Sequence, residues 1–331
     1  MQNARTQVKT QSRTKRRFSQ DQITAIAMVA PSIIAIAIFV YGFIAWSGFV
    51  SLVNWNSLKP DFTFVGLENY AQVFSMGRFQ TNVRNLFVFT IFFLIACLVI
   101  GLGLALMVDA KVKGEAIFRS VYIFPMALSF IVTGVVWQWI FAPGNYQGTP
   151  PDPTGINLLF HRLGLDFLMG DWTTDSRIVP GIRWLKTRLF IPMAMIPVVI
   201  AAVWQMSGFT MAMYLAGLRG IPEELREAAL VDGCTELQVF RFITFPLLRP
   251  ITLSAVIILG HISLKIFDLV VTMTGGAPGN NTEVPGLFMY ELTFKANKFS
   301  QGAAVAMVML VLVALLVVPY LLSNRESEAE Q

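Results

Sequence analysis

Charge is scarce in this sequence. Only 14% of its 331 residues are Asp, Glu, Lys or Arg, where a soluble chain carries about 25%. That deficit, beside 55% hydrophobic residues, excludes an ordinary soluble domain. Cysteine is nearly missing: Cys97 lies inside an apolar run and Cys234 in a polar loop, so no disulfide framework exists. The two histidines, His161 and His261, stand far apart without metal-ligand spacing. No paired carboxylates or nucleophile–base set sits at the end of an apolar run. The glycine-rich cluster Gly275-Gly276-Ala277-Pro278-Gly279 has no lysine after it, as a phosphate-binding loop would require. No metal, cofactor or catalytic residue is expected.

Long apolar runs dominate what is there. Six are long enough to cross a bilayer, which takes roughly 20 residues each: 23–50, 86–108, 121–141, 192–218, 251–273 and 303–322. The expected fold class is all-α, a polytopic membrane bundle of six helices. Pro31, Pro125 and Pro319 fall inside three of them, as membrane helices tolerate when neighbours satisfy the freed carbonyls. Net charge is +5, and Arg5, Lys9, Arg13, Lys15, Arg16 and Arg17 all precede the first acidic residue, Asp21. A basic run could bind nucleic acid, but directly before an apolar run it reads as a cytoplasmic anchor. No nucleic-acid partner is expected, only membrane lipid. Six spans then place both termini, 109–119 and 219–250 in the cytoplasm. Those segments hold fourteen Lys/Arg; the longer outside segments hold ten, a bias in the expected direction. The division is a tail over 1–22, a first helix over 23–50, an outside loop over 51–85, a five-helix core over 86–322 and a tail over 323–331.

The polar passage Glu223–Pro250 lies between two apolar runs. Pro222 suits a first helical position, and Glu223 and Glu224 suit the positive end of a helix. Gly233 can end that helix in the left-handed conformation. Thr235 starts a second helix, with Gln238 completing a capping box. Leu237, Phe240, Ile243 and Leu247 recur at helical spacing until Pro246 and Pro250 break the pattern. Shape alone allows a plain helical hairpin. A DNA-binding helix-turn-helix does not fit, since the second helix carries one basic residue, Arg241.

Glu227-Ala228-Ala229, then Gly233 after three residues, Ile243 after nine more and Pro246 beyond resembles the EAA loop of ABC-importer permeases. The one departure is Phe245, where that pattern has Leu. Phe64–Tyr70 is similar to the first outside loop of sugar permeases. Gly260–Phe294 is similar to permeases of carbohydrate importers, most of all the glucose/mannose type. The resemblance implies a type I permease forming half of a transmembrane pathway. Its expected partners are a second homologous permease, two ATP-binding subunits and an external sugar-binding protein. The loop, through Glu227, Ala228, Ala229, Gly233, Ile243 and Pro246, would dock into the ATPase. ATP hydrolysis would belong to that partner, not to this chain. An ion-coupled carrier is the alternative, and it would leave the loop unexplained.

Polar groups inside spans are costly and each needs a reason. On a continuous fifth helix His261, Lys265, Asp268 and Thr272 form one stripe, either a packing pair of Lys265 with Asp268 or a wall of the substrate path. In the fourth span an aromatic beside a carboxamide suits a sugar ring. The sugar contacts of maltose-type relatives fall on Ala202, Gln205, Met206 and Phe209 there, and near Leu259 and Ser263 in the fifth. The expected path is therefore Gln205, Met206, Phe209, Ser263, Lys265 and Asp268.

Overall fold

The computed structural model describes residues 20–110, 114–184 and 187–329. The basic residues Arg5 to Arg17, together with Lys111, Lys113 and Lys186, lie outside the described residues. The chain divides into two compact units, 1–47 and 48–331. The first holds α1 (Gln20–Ile36), a wide turn over Ala37–Gly42 and the start of α2 (Phe43–Ser51). Pro31 sits inside α1 without ending it.

In the second unit α3 (Glu68–Ser75) leads into α4 (Gly77–Asp109). After a short connection come α5 (Glu115–Ile123), a 3₁₀ turn over Phe124–Ala127 and α6 (Phe130–Ile140). A small lobe follows: β1 (Gly144–Asn145), β2 (Asp152–Pro153), α7 (Gly155–Arg162), β3 (Ile178–Trp184) and β4 (Thr187–Pro192). Each strand pair is antiparallel. Next are α8 (Met195–Arg219), α9 (Glu223–Val231), α10 (Glu236–Val239), α11 (Phe245–Leu247), α12 (Arg249–Leu264) and α13 (Asp268–Met273). The chain ends with α14 (Pro285–Tyr290) and α15 (Phe299–Ala329).

The fold is a helical membrane bundle, as expected, but two of the expected spans are broken. Among the described residues four helices are singly long and apolar enough to cross, and two bent pairs, 115–140 and 236–264, bring the candidates to six if each is one span. The third crossing is a pair, 115–127 and 130–140, bent by 100°. Pro125 cannot donate an amide, and Ser129 restarts the helix by accepting from the Val132 amide at 3.3 Å, an N-cap in mid-span. The fifth crossing, expected as one helix over 251–273, stops at Leu264 and restarts at Asp268. The amides of Lys265 and Ile266 fold back onto the carbonyls of Ile262 and Ser263, and Asp268 takes the first turn of α13, where the helix dipole favours an anion. The lobe holds one helix, α7, flanked by two strand pairs.

α4 and α8 run parallel and form the spine of the bundle. A Cβ on Gly101 would lie 2.6 Å from Cβ of Thr210, so glycine is what lets the two backbones meet. Phe89, Phe93, Met195, Val198, Ala201, Ala202 and Leu259 fill the centre. The segments expected outside all meet at one end. Trp55 and Ser300 exchange hydrogen bonds at 2.9 Å, Asn281 donates to the Ser176 carbonyl at 3.0 Å, and Arg78 pairs with Glu283 at 2.5 Å. The segments expected inside meet at the other end, where Arg219 pairs with Glu115 at 2.6 Å.

Candidate functional site

The EAA corner is built from backbone hydrogen bonds before any side chain matters. Pro222 is the N-cap of α9 rather than its first helical residue, and Glu223 and Glu224 fill the first turn. At the other end Gly233 has φ +88°. Its amide donates to the Leu230 carbonyl at 3.0 Å, and the Cys234 amide reaches back to the Ala229 carbonyl at 3.0 Å. This double closure is a Schellman motif, and it needs a left-handed residue at position 233. A Cβ there would meet nothing within 4 Å, so the demand for glycine is purely conformational.

Thr235 then caps α10 with the expected reciprocal box: its hydroxyl accepts from the Gln238 amide and Gln238 Oε1 accepts from the Thr235 amide at 2.7 Å. Arg226 of α9 donates to Glu236 of α10 at 2.8 Å and 3.3 Å, which sets the angle between the helices. Glu236 in turn holds the Arg226 guanidinium firmly protonated. Pro246 does not end the second helix. A wide turn over Phe240–Thr244, in which the Phe245 amide reaches the Phe240 carbonyl, shifts the ladder just before it. The helix therefore runs on to Leu247 and meets α12 at a 58° bend.

Of the six residues expected to couple, Glu227, Ala228 and Gly233 are exposed, Ile243 and Pro246 are half-buried, and Ala229 is buried. Val231 is 87% exposed, Leu237 74% and Phe242 69%. An open cleft of about 430 Å³ lies between the ends of α4 and α8 and this corner, lined among others by Asp109, Arg219, Arg226, Glu236 and Ile243. A rigid corner with uncovered apolar side chains and small residues at its tip is suited to a groove in another chain.

The structure divides the expected path residues into two sets. Gln205, Met206 and Ser263 are buried in the bundle, with Ala202 and Leu259, and Phe209 packs at the edge of the central core. Gln205 Nε2 donates to the Leu128 carbonyl at 2.7 Å. That carbonyl lies in the mid-span bend, so the carboxamide supplies a donor where the helix has lost one. Its Oε1 is buried without a partner among the described residues. Ser263 donates to the Gly260 carbonyl at 2.7 Å and meets Thr90 Oγ1 at 3.0 Å. Lys265 and Asp268 form the other set. They flank the break in the fifth span, are exposed, and no ion pair joins them. The stripe expected from a continuous helix does not exist, because the break rotates Asp268 and Thr272 away from it. Thr272 bonds the Asp268 carbonyl at 2.7 Å and abuts Gly134 of α6.

Two groups were not singled out from the sequence. Glu283, 1% exposed, accepts two bonds from Arg78, which also bonds Glu291. Burial pushes the Glu283 carboxyl upward while Arg78 pulls it back; at Glu291 the raising effect of burial is outweighed by Arg78 and Lys295. Asn157 is fully buried, donates to the carbonyls of Pro143 and Gly170 and accepts from the Trp172 indole at 2.8 Å. The burial of both depends on partners distant in the chain and leaves no local sequence signal.

Residues 100–325 match the family model of the binding-protein-dependent transport system inner membrane component. A probable ABC transporter permease protein of Pyrococcus horikoshii is 39% identical, over 94% of this chain and 99% of its own. The xylose/arabinose import permease of Haloferax volcanii is 32% identical over 87% and 84% of the two chains. The trehalose/maltose permease of Thermococcus litoralis is 27% identical over 90% and 92%. Among solved structures, a bacterial ABC transporter involved in the import of the acidic polysaccharide alginate superposes with a TM-score of 0.72. It covers 94% of this chain and 96% of its own at 19% identity, a likeness of fold.

Proposed function

Because the chain belongs to the binding-protein-dependent inner membrane transport components, we propose that it is one half of the pathway of an ATP-driven carbohydrate importer. Its partner permease is a related chain, two ATP-binding subunits drive it, and an external sugar-binding protein delivers substrate. Both termini and the EAA corner face the cytoplasm. The substrate is glucose, mannose or another mono- or oligosaccharide; relatives named for pentoses and disaccharides support the class, and the likeness of Gly260–Phe294 to glucose/mannose permeases supports the narrower reading.

The observation that carries the proposal is the corner at Gly233, held rigid by backbone caps and the Arg226–Glu236 pair while Val231, Leu237 and Phe242 stand uncovered. Glu227 and Ala228 lie at the contact with the ATPase, and Ile243 and Pro246 shape the second helix behind it. Within the membrane the path runs past Lys265 and Asp268. Charged groups do not face lipid, and neither has an ion-pair partner among the described residues. Purification from membranes in mild detergent tests the assembly: an ATPase subunit and a second permease should co-purify, and labelled sugars should be taken up only with ATP. A chain that transports alone in proteoliposomes without ATP would make it an ion-coupled carrier instead.

A further inference from the structure

We infer that α7 is a membrane-surface helix, lying in the boundary between acyl chains and headgroups at the lobe end of the bundle. Its inner face is fixed to the protein. Asn157 holds the carbonyls of Pro143 and Gly170, Phe160 packs near Trp172 with ring centroids 6.2 Å apart, and Ile156 packs on the central core. Its outer face is apolar and uncovered. Leu159 is 54% exposed and Leu163, one turn on, 62%; Phe167, in the turn after the helix, is 80% exposed. A water-facing eight-residue helix gains nothing from that pattern, whereas an interfacial one is held by it.

Its depth follows from what it touches. A Cβ on Gly155, the first residue of α7, would lie 2.3 Å from the Ile140 carbonyl, so α7 begins on the last turn of a spanning helix. That last turn carries Trp139, 70% exposed, an indole of the kind that collects at membrane interfaces. Exposed Val132, Val136, Trp139 and Ile140 recur at helical spacing down α6, so its apolar stripe leads up to the start of α7. The exposed Arg162 beside Leu163 can reach lipid phosphates, while His161 is held to Asp166 at 2.8 Å.

The test uses the assembled transporter in liposomes, with Cys234→Ser as background and nitroxide labels on Leu163→Cys, Phe167→Cys or the aqueous reference Lys59→Cys. Collision with oxygen, which concentrates in lipid, is compared with collision with a water-soluble nickel chelate. The ratio at 163 and 167 should exceed that at 59, since a helix seated at the acyl boundary meets oxygen and excludes the chelate. Free access of the chelate to both sites overturns the proposal. So does exclusion of both probes, which means burial against another subunit, and so does protection that appears only when the external binding protein is added. If Leu163→Cys fails to assemble, Leu159→Cys on the same face carries the measurement. None of these outcomes depends on which sugar is carried.

Discussion

The two ends of this bundle are held together in opposite ways. At the lobe end the connections close on one another through buried polar groups: Glu283 with Arg78, Asn85 on the carbonyls of Asn280 and Glu283, Asn69 on those of Ser51 and Val53, and Asn157 in the lobe. At the EAA end the ion pairs are exposed, the corner is held by its own backbone, and large apolar side chains stand in the open. The difference lies in what holds the connections, buried side-chain hydrogen bonds at one end and backbone closure at the other, since large apolar side chains stand uncovered at both, Phe167 as well as Val231. A buried pair holds distant segments in one arrangement at the cost of desolvation. An exposed corner closed by its own backbone needs no buried side chain to keep its shape.

The sharpest test of that contrast is to break one pair at each end. Glu283→Ala removes two charge-assisted bonds from Arg78, which is partly exposed and keeps Glu291, and should cost about 1.5–3 kcal/mol, seen as loss of assembled complex and a lower melting temperature. Arg226→Ala removes an exposed pair worth about 0–1 kcal/mol. Equal melting temperatures for the two variants would erase the distinction drawn here.

Next in size is Gln205→Ala. It removes the donor to the Leu128 carbonyl at the 100° bend, a loss of about 1–3 kcal/mol for a buried group left unpaired. Assembly should fall while the preference among sugars is unchanged. Tyr214→Phe, which gives up a 3.0 Å bond to Thr252, should do less. A shift in sugar preference with Gln205→Ala would return that residue to the substrate path.

At the EAA end the folding cost is smaller and the functional loss larger. Gly233→Glu meets no atom but imposes a side chain on φ +88°, worth about 1–2 kcal/mol. Together with Glu227→Lys, which costs the fold still less, it should leave the permease in the membrane but abolish ATP-driven uptake. Normal uptake in either variant would remove the docking role. The smallest structural effect belongs to the break in the fifth span. Lys265→Met, Asp268→Leu and the double variant should all assemble, since the two side chains do not pair, and uptake should remain lost in the double one. Uptake restored by the double variant would mean that they do pair in the assembled transporter.

Much of this was legible beforehand, for identifiable reasons. The capping box at Thr235 and Gln238 and the left-handed Gly233 depend on residues three positions apart or on one backbone angle, so local pattern suffices. The ends of α7 and the strand pairs around it were not legible, because Asn157 organises that lobe through partners at Pro143, Gly170 and Trp172. Pro125 was visible but its 100° bend was not; a proline removes one donor, while the direction the chain then takes depends on Ser129 and on Gln205 from another helix.

By itself the sequence determined the membrane class, the apolar segments and the capped corner at Gly233, because hydropathy and capping act over one or two helical turns. Tertiary structure alone decided which partners the polar groups inside the spans meet. Gln205 and Ser263 share helical spacing with a sugar-binding pattern, and packing brings the Leu128 carbonyl to Gln205 Nε2 and the Thr90 hydroxyl to Ser263 while Gln205 Oε1 stays open. Lys265 and Asp268 have the spacing of an ion pair, yet the helix stops between them. Whether a buried donor has a partner depends on where a second helix lies to within an ångström or so, and residue spacing along one chain carries no such distance.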